Sequence, residues 1–227
     1  MDVQLEVYGQ VVRELHLYYH GKRLNTVKAQ DRLLARKDAA AVLQSARDYD
    51  ADVGQHVELS RLYLSRVEET NIGWLADAIT LGADRQALKE LVDRMRVSVE
   101  ALEQEKVWAD QRVAALLSPG VLPDYRQSSR TGRNELRLTV RDLLRRRQHA
   151  EASRQLVAYA AKARRAMLDL RFYAQYWAIL TLEESDVTAA DRQAEITLLR
   201  RQARLASIEY DWSFDWAQDI SGRNPAG

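Results

Sequence analysis

Apolar residues recur along most of the chain at the spacing of helix faces. Val3, Val7, Val11, Leu15 and Tyr18 follow steps of four and three, which predicts an amphipathic helix over residues 3–20. Gly21 is a weak point, yet Leu24, Val27, Leu33 and Leu34 resume the period, so a bent continuation is expected. A second helix reads from about Asp38 to Glu69, with Val42, Ala46, Tyr49, Val53, Val57, Leu64 and Val67 inward. TNIGW, residues 70–74, and the following LGAD are punctuation. Asp84 is then predicted to cap a third helix through Leu117 that carries Leu88, Leu91, Met95, Val99 and Leu102.

The strongest boundary is SPGVLPDYRQSSRTGR, residues 118–133, which holds two of the three prolines and reads as a loop. Asn134 is placed as the cap of a helix running to about Leu182. Its inward seam is Leu136, Val140, Leu143, Ala150, Val157, Ala161 and Leu168. Thr188, three residues before Asp191, resembles a capping box for a last helix toward Tyr210. Residues 211–227 form an aromatic and acidic tail with a frayed end. No strand pattern competes, and no period indicates solenoid repeats. The expected fold is all-α: an elongated antiparallel helical bundle with long coiled-coil-like helices. The N-terminal helices (1–117), loop (118–133), C-terminal helices (134–210) and tail (211–227) are expected to make one domain.

Composition fits that picture, since 227 residues with only three Pro and nine Gly, and 30 % charged side chains, suit long helices. The chain has no Cys, which excludes disulfides, thiolate catalysis and Cys-based zinc sites. No apolar run approaches the ~20 residues of a membrane span. The first ten residues lack the build of a signal peptide, so a cytoplasmic protein is expected, with a fragment of a longer chain left open. Net charge is only +1, but it is unevenly spread. Residues 126–171 hold thirteen Lys and Arg against four Asp and Glu, a local +9; residues 41–106 hold eight against thirteen, a local −5.

That asymmetry draws attention to Arg133, Arg137, Arg141 and Arg145, spaced by four. Each such step drifts ~40° round a helix, so the ladder winds rather than tracking one phosphate row. With Arg126 and Arg130 it forms a candidate anion-binding set for nucleic acid or acidic membrane. Arg147, Arg154 and Arg164 fall on the apolar seam and are expected to seek carboxylates in the acid-rich second and third helices.

Other candidate chemistry is sparse. His16 and His20 stand one turn apart without a third ligand, so no metal site is expected, and no catalytic constellation or cofactor motif is present. Tyr173, Tyr176 and Trp177 could form a core layer or line a small-molecule pocket. Tyr210, Trp212, Phe214 and Trp216 alternate with polar residues and are the candidate partner-binding patch. The leading expectation is a non-enzymatic scaffold or protein-interaction protein, with another protein or a second copy as partner. The alternatives are a helical ligand-sensing domain and a binder of nucleic acid or anionic membrane through residues 126–147.

Overall fold

The computed structural model describes residues 3–76, 82–122, 124–182 and 186–222. They form six α-helices and no strand: α1 Val3–Ala35, α2 Ala39–Ala76, α3 Gly82–Leu117, α4 Tyr125–Arg145, α5 His149–Thr181 and α6 Asp186–Gly222, with a 3-10 turn at Pro119–Val121. Helix packing makes this an all-α bundle protein. The chain divides into two compact units, Met1–Leu117 and Ser118–Gly227, where a single domain was expected. α3 begins at Gly82 and α6 at Asp186, so Asp84 and Thr188 lie within the first turns of these helices rather than at the caps expected of them, while the frayed end 223–227 lies outside the described residues.

In the first unit α1, α2 and α3 pack together. Val42, Ala46, Tyr49, Val53, Val57 and Val67 of α2 are buried, as are Leu88, Leu91, Met95, Val99 and Leu102 of α3, on the faces their spacing predicts. α2 nevertheless continues through TNIGW to Ala76. α1 runs through Gly21 without a break. Its buried line is Leu5, Val12 and Tyr19, whereas Val3 and Val7 are exposed. A strict step of four leaves a helix face by ~40° each time, while a step of seven slips only ~20° back. At Gly9 the helices α1 and α3 approach closely enough that a Cβ would overlap the Leu91 Cδ1.

The second unit departs further from expectation. Residues 125–133 are helical rather than loop, because Asp124 caps the backbone N–H of Arg126 at 2.9 Å. The hydroxyls that look like loop chemistry bond back to helix carbonyls: Ser128 to Tyr125 at 3.1 Å and Ser129 to Arg126 at 3.2 Å. The long helix expected over 134–182 is two helices, α4 and α5. They are broken by Arg147, whose φ of 60° lies in the left-handed region. The Gln148 N–H donates to the Leu143 carbonyl at 2.9 Å and the Arg147 N–H to Leu144 at 3.1 Å, the closing pattern of a helix C-terminus.

That turn resets the helix phase. Leu136 and Val140 are buried as expected, but Ala150, Val157, Ala161 and Leu168 face solvent. The buried line of α5 is instead Ala152, Leu156, Ala160, Ala163 and Leu170. Seam arginines therefore do not reach α2 or α3. Arg147 sits in the turn, Arg154 pairs with Glu151 at 2.6 Å, and Arg164 is exposed with no ion pair among the described residues. The acidic residues of α2 and α3 pair with cations of their own unit, as in Arg61–Glu103 and Arg96–Glu68, both at 2.7 Å.

Candidate functional site

The two units are built round the same node. Arg23, Leu33, Leu34, Arg36 and Tyr49 recur 110 residues later as Arg133, Leu143, Leu144, Arg146 and Tyr159, while Glu105 and Trp108 recur 104 residues later as Glu209 and Trp212. Lys37, like Arg147, takes a φ near 60° in the turn after the Leu-Leu pair. In the first unit Arg23 pairs with Glu105 at 2.9 Å, and its guanidinium lies 4.2 Å from the Trp108 ring centre. Tyr49 meets Trp108 edge-on at 5.6 Å, and its hydroxyl donates to the Tyr19 carbonyl at 3.4 Å.

In the second unit Arg133 pairs with Glu209 at 3.0 Å and lies 4.6 Å from Trp212. Tyr159 meets Trp212 edge-on at 6.3 Å and donates to the Ser129 carbonyl at 3.4 Å. Each node thus joins three helices through a charge-assisted hydrogen bond, a cation–π contact and an edge-to-face ring pair. Burial, then the neighbouring Glu105 or Glu209, pushes the Tyr49 and Tyr159 hydroxyls well above the usual tyrosine range. Tyr125, beside the second node, is pushed up to about 12 for the same two reasons. Such hydroxyls stay protonated and act as donors, not as acids or bases.

A second polar cluster belongs to the first unit alone. The Tyr19 hydroxyl donates to Asp52 Oδ2 at 2.6 Å and lies 2.6 Å from His56 Nδ1. His56 Nδ1 is also 2.9 Å from the Asp52 carbonyl, so it carries the proton that both oxygens accept. Lys22 closes the group with an ion pair to Asp52. Burial raises the Tyr19 pKa, and its bond to Asp52 adds to that. For Asp52 burial acts upward, but the Lys22 and Tyr19 hydrogen bonds outweigh it and hold the carboxyl below its ordinary value. The equivalent positions of the second unit are Ser129, Gly132, Lys162 and Ala166, which cannot form the cluster. A tyrosine, a carboxylate and an imidazole in contact are parts of an acid–base set. Here every one is engaged, and the group ties α1 to α2.

The anion-binding candidates separate. Arg133 is drawn into the node, and Arg137 lies 6.0 Å from the Trp212 ring. Arg126, Arg130, Arg141 and Arg145 are exposed and make no ion pair among the described residues. The aromatic tail separates too, because α6 continues to Gly222 and residues 210–216 are helical. Trp212 and Trp216 pack on the Leu136, Val140 and Ile220 cluster. Tyr210 and Phe214 stack on each other at 5.7 Å, with Phe214 partly exposed.

Tyr173, Tyr176 and Trp177 are all buried, with Tyr176 edge-on to Trp177 at 5.5 Å. A groove of about 650 Å³ lies elsewhere, between α1 and α3, and is lined by Glu6, Gln10, Arg13, Leu17, Arg94 and Met95. His16 and His20 assemble no third ligand among the described residues. No helix among the described residues is long and apolar enough to cross a membrane.

The repeated node escaped sequence reasoning, although a signal existed. The spacing from Arg to Leu-Leu to Tyr is identical in both halves, and each half carries one Glu-x-x-Trp. Comparison with protein-family models, curated proteins and solved structures finds no match.

Proposed function

We propose that the protein is a non-enzymatic helical scaffold that binds another macromolecule through an exposed helix face. The observation that supports this is the outward seam of α5. Val157 and Leu168 are 48 % and 52 % exposed, Ala150 and Ala161 are exposed beside them, and all share one side of the helix. Isolated surface leucines are ordinary, but an aligned apolar line at heptad spacing is how helices recognise helices. The polar clusters support the same reading, since their groups are spent on holding helices together. Phe214 with Tyr210 offers a smaller second patch on α6.

A photo-crosslinking residue placed at position 168 in the full chain, with a second at 214, tests the reading in cells. A discrete macromolecular adduct from position 168 is the expected result. Free monomer from both positions overturns it. Polyanion binding is a second reading, favoured by the exposed Arg126, Arg130, Arg141 and Arg145, which make no ion pair among the described residues. It predicts binding to duplex DNA or anionic vesicles that weakens steeply as salt rises. The ligand-sensing alternative has less support, because Tyr173, Tyr176 and Trp177 are packed away from solvent.

A further inference from the structure

We infer that the outward face of α5 docks an acidic amphipathic helix of a partner protein; the inference rests on the interaction reading above and names its partner class. At 100° per residue, Val157, Ala161 and Leu168 fall within about 40° of one another, and Val157 to Leu168 spans roughly 16 Å, three helical turns. Ala161 between the two larger residues leaves a hole into which a knob from a facing helix fits. Arg164 flanks this line on one side, and Arg154 and Arg165 on the other.

The rim is cationic and largely uncompensated. Arg154 has Glu151 at 2.6 Å, but Arg164, Arg165 and Lys162 make no ion pair among the described residues. A facing helix with carboxylates at its flanking positions would neutralise them, while its apolar residues cover Val157 and Leu168.

The duplication supplies an internal control. The positions of α2 equivalent to Val157, Ala161 and Leu168 are Arg47, Ala51 and Glu58, and those equivalent to Arg164 and Arg165 are Gly54 and Gln55. Glu58 there pairs with Arg61 at 2.8 Å. At these positions α2 is therefore polar apart from Ala51 and Gly54, while its counterpart α5 carries an apolar line with basic edges. A requirement of the fold itself would place the same residue types in both. A second copy docking on this face would set arginines against arginines, which disfavours self-association. Nucleic acid would use the cations but leave Val157 and Leu168 without a role.

The test uses the full chain and fluorescent helical peptides of three heptads with a Leu/Ala seam, flanked by Glu in one and by Lys in the other. Anisotropy at low salt is expected to show saturable binding of the Glu peptide only, weakening as salt is raised. Leu168→Glu, and separately Arg164→Glu with Arg165→Glu, should each weaken it by about tenfold or more, while Lys89→Glu on α3 leaves it unchanged. Circular dichroism checks that these exposed substitutions leave the helices intact. Absence of binding, equal binding of both peptides, or insensitivity to Leu168→Glu overturns the inference. So does a homodimer that Leu168→Glu dissolves, or a DNA duplex that binds through these residues while the Glu peptide does not. If the peptide fails but position 168 still crosslinks to a protein, the interaction reading stands and only the acidic-helix assignment falls.

Discussion

Replacing Arg133 by Met isolates what the repeated node contributes. The substitution keeps most of the side-chain stem and removes the guanidinium. It deletes the 3.0 Å pair with Glu209 and the cation–π contact with Trp212. Glu209, only 7 % exposed, is left with the Tyr159 hydroxyl at 3.3 Å as its remaining side-chain partner among the described residues. Breaking a fully buried ion pair from one side costs about 3–5 kcal/mol. The Arg133 side chain is 33 % exposed, so solvent relieves part of this and about 2–4 kcal/mol is expected. Equilibrium urea unfolding followed by far-ultraviolet dichroism measures the loss. Adding Glu209→Leu should recover part of it, because the stranded carboxylate is then gone. A loss under about 0.5 kcal/mol for Arg133→Met, or a double variant as unstable as the sum of the two singles, would refute the reasoning.

Three further outcomes follow from particular geometry. Lys37→Gly and Arg147→Gly, at φ of 61° and 60°, should each raise stability by up to about 1 kcal/mol in urea titrations, because glycine adopts that conformation without strain. Gly9→Ala should lower stability by up to about 2 kcal/mol, since its Cβ would overlap Leu91 across the α1–α3 contact and the helix propensity of alanine, about 1 kcal/mol, offsets only part of that cost. Asp52 titrates below its ordinary value in the folded protein, so its contribution is present above the unfolded carboxyl pKa and disappears as pH falls through the lower folded one. Asp52→Asn should therefore flatten the acid limb of stability measured from pH 6 to 3 and lower stability at neutral pH.

The helices legible in the sequence are those with a single apolar line. α2 and α3 bury the residues that their spacing selects, from Val42 to Val67 and from Leu88 to Leu102. α1 and α5 each carry two competing lines, and periodicity alone chose the exposed one. The choice in α5 was decided at Arg147, where a left-handed residue breaks the helix without the glycine that normally marks such a stop. A seam counted across that turn arrives on the wrong side. Residues 125–133 looked like a loop because serine, threonine and glycine are frequent in loops, yet Ser128 and Ser129 satisfy their hydroxyls on the helix itself. The duplication was hidden because core residues changed type between units, as in Val53 against Ala163 and Leu102 against Ala206, while the node and the turn kept their chemistry.

The register of α5 carries both the fold correction and the proposed interaction face, and the absence of native cysteine makes it directly measurable. Single cysteines introduced at 156, 157, 163 and 168 in the full chain can be labelled with a maleimide under native conditions. Positions 157 and 168 are expected to react at the rate of a free exposed thiol, and positions 156 and 163 only on unfolding. Rapid labelling at 156 and 163 with protection at 157 and 168 would contradict the outward seam and remove the surface on which the proposed function rests.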